Sequence, residues 1–115
     1  MMYTELFGCM KQSGGGGGGS ADIPEVDHGT GDTTFSLTPN VYHKWGEVAE
    51  LTLTLAAASP GIVNNYWFCF TSGDTPTVLS LPEGVKTDIV VEANTRYECS
   101  IVNDYMVFND WTVTA

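Results

Sequence analysis

Two histidines, three cysteines and a scatter of carboxylates are the residues of this chain best suited to chemistry, and their spacing limits what each could do. His28 lies in an acidic stretch that also holds Pro24, Gly29 and Gly31, whereas His43 lies beside Lys44 in an alternating segment. Neither has a Ser or Cys nucleophile at a recognisable spacing, so no catalytic triad is expected. Glu47, Glu50, Glu92 and Glu98 would serve glycoside hydrolysis only if two of them faced one another across a cleft. Glu50 and Glu98 fall at the outward positions of alternating segments, where solvated charge is the ordinary outcome.

Cys9, Cys69 and Cys99 form neither a CxxC pair nor a Cys/His cluster, so a zinc site has no support. Their odd number fits free thiols of a reducing cytoplasm, and a Cys69–Cys99 bridge stays open if their strands are neighbours. Asp22, Glu25, Asp27 and Asp32 lack the alternating oxygens and distal Glu of a calcium loop. The glycine run 14–19 has neither the Lys-Ser/Thr nor the preceding strand of a phosphate-cradling loop. The sequence therefore predicts no catalytic residue, no metal ligand and no cofactor. Aromatic rings remain: Trp67, Trp45 and Tyr105, together with Tyr42, would stack on sugar rings or on a partner protein if they faced solvent.

The elements that would carry these residues divide into three. Residues 1–13 form a short peptide in which Met2, Leu6, Phe7 and Met10, spaced three and four apart, would line one side of a helix. So short a helix is marginal alone, so Leu6, Phe7 and Met10 are the expected contacts to a larger particle. Residues 14–32 begin with six consecutive glycines and continue acidic, which predicts a flexible tether whose glycine run spans roughly 12–15 Å. Residues 33–115 hold nearly all the apolar side chains and alternate with period two. Strands are expected over residues 34–38, 41–45, 48–55, 66–71, 77–81, 88–91, 96–102, 105–108 and 111–113. Pro39-Asn40, Gly46, Ser72-Gly73-Asp74, Pro82-Glu83-Gly84, Glu92-Ala93-Asn94-Thr95, Asn103-Asp104 and Asn109-Asp110 divide them. The fold expected is all-β, a small antiparallel β-sandwich or barrel preceded by the tether and the anchor peptide.

Composition sets further bounds. The chain has 115 residues and carries fourteen Asp and Glu against four Lys and Arg, a formal net charge of −10. Such a surface repels nucleic-acid phosphate and anionic lipid, so neither partner is expected. A single small core is the limit at this length. Leu6-Phe7-Gly8-Cys9 lacks the basic start and apolar run of a lipidated signal peptide, and synthesis in the cytoplasm is expected.

Three stretches resemble a known texture: residues 37–55 (LTPNVYHKWGEVAELTLTL), 68–85 (FCFTSGDTPTVLSLPEGV) and 91–103 (VEANTRYECSIVN). They are similar to small C-terminal β-domains that recur in structural proteins of tailed bacteriophages, and the likeness spans most of residues 35–111. The resemblance implies a non-enzymatic virion component, either a fibre, a tail-associated protein or a capsid decoration, and it transfers no catalytic residue. It places the protein in the virion, made in the host cytoplasm, with capsid or tail proteins as partners and further copies of itself as another. The alternative from a different class is a carbohydrate-binding module that contacts host glycans through Trp67, Trp45 or Tyr105.

Overall fold

The computed structural model describes residues 23–113. The anchor contacts Leu6, Phe7 and Met10, the glycine run 14–19 and Cys9 lie outside these residues. Eight strands are found among the described residues: β1 (Glu25–Gly29), β2 (Thr34–Leu37), β3 (Tyr42–Glu47), β4 (Glu50–Leu55), β5 (Asn65–Ser72), β6 (Val78–Ser80), β7 (Thr95–Val102) and β8 (Tyr105–Thr112). The all-β expectation holds.

The antiparallel expectation does not hold for most of the body. One sheet runs β1-β3-β5-β7-β8 and the other β2-β4-β6. The pairs β1/β3, β3/β5, β2/β4 and β4/β6 are all parallel, and only β5/β7 and β7/β8 are antiparallel. Successive strands alternate between the sheets, so the chain winds around the core in turns β1-β2, β3-β4 and β5-β6 before the β7-β8 hairpin extends the larger sheet. Pro39-Asn40 and Ser72-Gly73-Asp74 turn the chain as expected, but they arch from one sheet to the other instead of folding a strand back on its neighbour; Asn103-Asp104 alone of the expected turns closes a hairpin, and Gly46 lies inside β3. Period-two alternation is the same for both connections, which is why it cannot distinguish them.

Three further boundaries differ. Residues 25–29, expected within the tether, form β1 and pair with β3. Only Val26 is strongly apolar in that strand, so no alternation marked it. Residues 88–91 are not a strand; Ile89 and Val91 pack against the core from a loop. Asn109-Asp110 does not interrupt β8, which pairs with β7 without a break from Tyr105 to Thr112.

The core lies between the sheets. Tyr66, Phe68 and Phe70 of β5 and Tyr97, Cys99 and Ile101 of β7 face Leu51 and Leu53 of β4 and Leu37 of β2, with Trp45 and Met106 completing the cluster. Phe70 stacks on Tyr97 with ring centroids 5.2 Å apart. The Tyr97 hydroxyl donates to the Val90 carbonyl at 3.1 Å and accepts the Glu92 N–H at 2.8 Å, which ties the loop after β6 to the sheet.

Candidate functional site

The structure unites the two histidines that the sequence kept apart. Asp27 pairs with Lys44 and Gly29 with Trp45, so a bulge sets His28 and Gly29 against the single residue Trp45. Gly29 has φ +60 there, a backbone that L side chains rarely adopt. The extra residue lets the His28 ring lie on the Trp45 indole, with centroids 4.3 Å apart and planes inclined by 16°. His28 Nε2 is then 2.9 Å from His43 Nδ1.

Two more residues extend the chain of contacts. His28 Nδ1 is 2.9 Å from Asp32 Oδ2. His43 Nε2 is 2.9 Å from Thr38 Oγ1 and accepts the Thr38 backbone N–H at 3.3 Å. That backbone donor fixes the direction of the row. Because Nε2 of His43 accepts, its Nδ1 carries the hydrogen and donates to Nε2 of His28. Nδ1 of His28 in turn donates to the Asp32 carboxylate. Protonating His43 would turn Nε2 into a donor facing the Thr38 donor. Burial and the neighbouring His28 ring push the His43 pKa down to about 4, against a smaller opposing effect of the Thr38 backbone.

A hydroxyl on an imidazole backed by a second imidazole and a carboxylate has the outline of a proton relay. At neutral pH its first base is weak, since a base near pKa 4 has little drive to take a proton from a hydroxyl. Both ring nitrogens of His43 are occupied and the residue is 2 % exposed. A cavity of about 270 Å³ lies elsewhere, lined by Glu47, Val48, Ala49, Gly73, Asp74 and Thr75. Glu47 and Asp74 both line it, while Glu50, Glu92 and Glu98 are not among its lining residues.

A second polar group lies on the opposite face of the larger sheet. Glu98, expected in solvent, is buried and its Oε2 accepts the Tyr42 hydroxyl at 2.8 Å. Cross-strand pairing sets Cys69 directly opposite Glu98, and Arg96 Nη2 donates to Cys69 Sγ at 3.0 Å. Arg96 Nη1 also donates to Thr71 Oγ1 and to the Trp45 carbonyl. Burial raises the pKa of the Cys69 thiol against the opposing pull of Arg96, and burial is the leading cause holding that of Cys99 well above its usual value. Both thiols are therefore neutral at pH 7. Cys69 and Cys99 are free, and they belong to separate clusters on opposite faces of the sheet, so no bridge joins them.

The aromatic candidates are dispersed. Trp45 is in the core, its Nε1–H donating to the Gly31 carbonyl at 2.8 Å. Trp67 is buried beside Tyr42 and Cys69. Tyr105 is exposed on β8, and Lys86 Nζ stands 5.2 Å from its ring centroid. A stacking platform built from Trp45 or Trp67 is thus corrected by burial: neither ring has an open face. Among the described residues no group of three or more His, Cys, Asp and Glu is placed to hold a metal ion, and no helix is long and apolar enough to cross a membrane.

Comparison with protein-family models, with curated proteins and with solved structures finds no match to this chain. The His28–His43 contact was concealed from sequence reading by the winding. Glu25 pairs with Tyr42 and Thr34 with Thr52, offsets of 17 and 18 residues that a search for spaced self-similarity could have used.

Proposed function

We propose that this protein is a non-enzymatic structural component of a tailed-bacteriophage virion, an accessory head or tail protein of capsid-decoration or fibre type. Residues 1–13, through Leu6, Phe7 and Met10, grip the particle, and the wound β-body is displayed on the glycine tether. The sequence resemblance across residues 35–111 supports the virion setting. The observation that carries the non-enzymatic part is the row Thr38–His43–His28–Asp32, in which every imidazole nitrogen is engaged inside the protein. Groups that could catalyse are used instead to fasten the first turn of the winding to the second.

Partners in this reading are capsid or tail proteins and further copies of the chain. The carbohydrate alternative retains Tyr105 alone, whose ring already carries the Lys86 ammonium near it. Mass spectrometry of purified virions tests the setting, and a variant lacking residues 1–13 tests the grip. The protein should be present in particles, and the shortened form should be absent from them while keeping its β-fold by circular dichroism. Absence of the full chain from virions removes the virion reading; incorporation of the shortened form removes the anchor.

A further inference from the structure

The His28–His43 contact joins a lightly held strand to a deeply buried ring. β1 is an edge strand paired with β3 alone, over four residues and with a bulge, and four of its five residues are exposed. The His28 side chain is the exception at 3 %. Flanking residues add two ties: Ile23 packs on Tyr42, Trp67 and Cys69, and the Gly31 carbonyl accepts the Trp45 indole N–H. His43 lies deeper. His28 of β1, Phe35 of β2, Thr38 of the arch and Trp45 of β3 surround its ring. Of these, only His28 belongs to a strand that can leave without parting the two sheets.

A proton on His43 meets a counter-charge on its own side of the sheet only through that strand. Glu25, Asp27 and Lys44 lie on the outer face. β2 and Phe68, the β5 partner of His43, bring no ionisable group, and Asp32 is reached through His28. The cation would be held out of water with the Thr38 backbone N–H facing Nε2. We propose that β1 is an acid-released latch: protonation of His43 frees residues 23–32 from the edge of β3 while the two sheets stay packed. Release admits water to the ring and restores its usual affinity for a proton, which burial first and His28 second hold down to about 4 in the closed form. It also bares the edge of β3 and frees up to about 33 Å of extended chain. β1 thus belongs to the low-stability end of the fold, where a segment opens ahead of the whole. None of this rests on the virion reading, so failure here leaves that reading standing.

The test is native-state hydrogen exchange on the full chain in low urea, with each rate referred to its intrinsic value at that pH. The Tyr42 amide, which donates to the Pro24 carbonyl, and the Trp45 indole N–H report the latch, and the Phe70 and Ile101 amides report the sheets. The open form binds the proton more readily than the closed form, so opening is favoured as pH falls, by about 40-fold between pH 6.5 and 4.5. Expected at both latch reporters is that loss of protection, at rates that do not respond to low urea, while Phe70 and Ile101 exchange more slowly and accelerate only as urea rises. Latch reporters that keep their protection, or that share the rates and urea dependence of Phe70 and Ile101, overturn the proposal. In His43→Asn the acid-induced change should vanish, and the same loss in that variant refutes His43 as the trigger. The wild-type measurements decide the proposal whether or not that variant folds.

Discussion

The histidine row makes a pH dependence that can be worked out before it is measured. His43 takes up a proton at about pH 4 in the folded protein, against about 6.5 in an unfolded chain. The folded value is lowered, so the unfolded chain binds the proton first as pH falls. The contribution of neutral His43 is complete above about pH 6.5 and is lost as pH drops toward 4. Linkage over that interval gives about 3 kcal/mol, of which about 2 kcal/mol is gone by pH 5. Exposure of only 2 % leaves little solvent screening to reduce it. Against a typical total of about 5–15 kcal/mol, one ring would remove a large share of the stability.

Urea unfolding of wild type and His43→Asn at pH 7.5, 6.5, 5.5 and 5.0 isolates this ring, because every other titrating group is common to both. The wild type should lead by a margin that narrows by about 2 kcal/mol across the series. Parallel curves would refute the burial of His43 against His28, since a ring that keeps its ordinary affinity for protons is not desolvated beside a second imidazole. If the variant does not fold, the titration of the His43 Cε1 proton in the wild type decides the point: a midpoint near 6.5 in place of about 4 has the same force.

Three other outcomes follow from the packing. Phe70→Ala removes a fully buried ring stacked on Tyr97 and should lower unfolding free energy by about 3–5 kcal/mol; a loss below about 1 kcal/mol would mean the sheets are not packed as described. Tyr97→Phe leaves the Glu92 N–H and the Val90 carbonyl without the hydroxyl that serves both, at a cost of about 1–3 kcal/mol, and Glu92 amide exchange should accelerate while that of β5 holds. Peptide mapping under non-reducing conditions should find no Cys69–Cys99 disulfide even after air oxidation of the folded protein, and its recovery would contradict their placement on opposite faces.

Strand identity was legible in the sequence where one face is buried and the other wet. Leu51, Leu53 and Leu55 alternate with Glu50, Thr52 and Thr54, and β4 lies where they place it. β5 was legible too, although its second face is not solvent: Trp67 and Cys69 alternate with Phe68 and Phe70 just as surface residues would. Topology was not legible, because the choice between a hairpin and an arch depends on where the chain goes after Pro39-Asn40 or Gly73-Asp74. β1 was concealed by Glu25 and Asp27, which face outward next to Lys44, with Glu25 Oε1 3.6 Å from its Nζ. The His28–His43 pair follows from that winding, and so could not precede it.

The same winding determines where a second copy could add a strand. Each sheet ends in two edges, β1 and β8 on one and β2 and β6 on the other. β1 is bulged at His28 and carries Glu25 and Asp27, so two such edges would meet acid to acid. β2 has four residues and β6 three, the latter between Pro76 and Pro82, too short to give a lasting ladder. β8 has eight residues and keeps its register with β7 throughout; Lys86 bridges its start at Tyr105, where the Met106 N–H donates to the Lys86 carbonyl, and the edge beyond Met106 stays open, with Val107 exposed. Any self-association of the body through a sheet edge should therefore run through the open part of β8, from Val107 to Thr112, where a two-fold axis would set the two copies of that edge side by side. Val107→Lys puts a like charge on that edge of each copy and leaves the core untouched, since Val107 is exposed. Sedimentation of the wild type should show mass rising with concentration while the variant stays a monomer; self-association of the variant as strong as that of the wild type would exclude this edge, and a wild type that never associates would exclude edge-to-edge pairing of the body altogether.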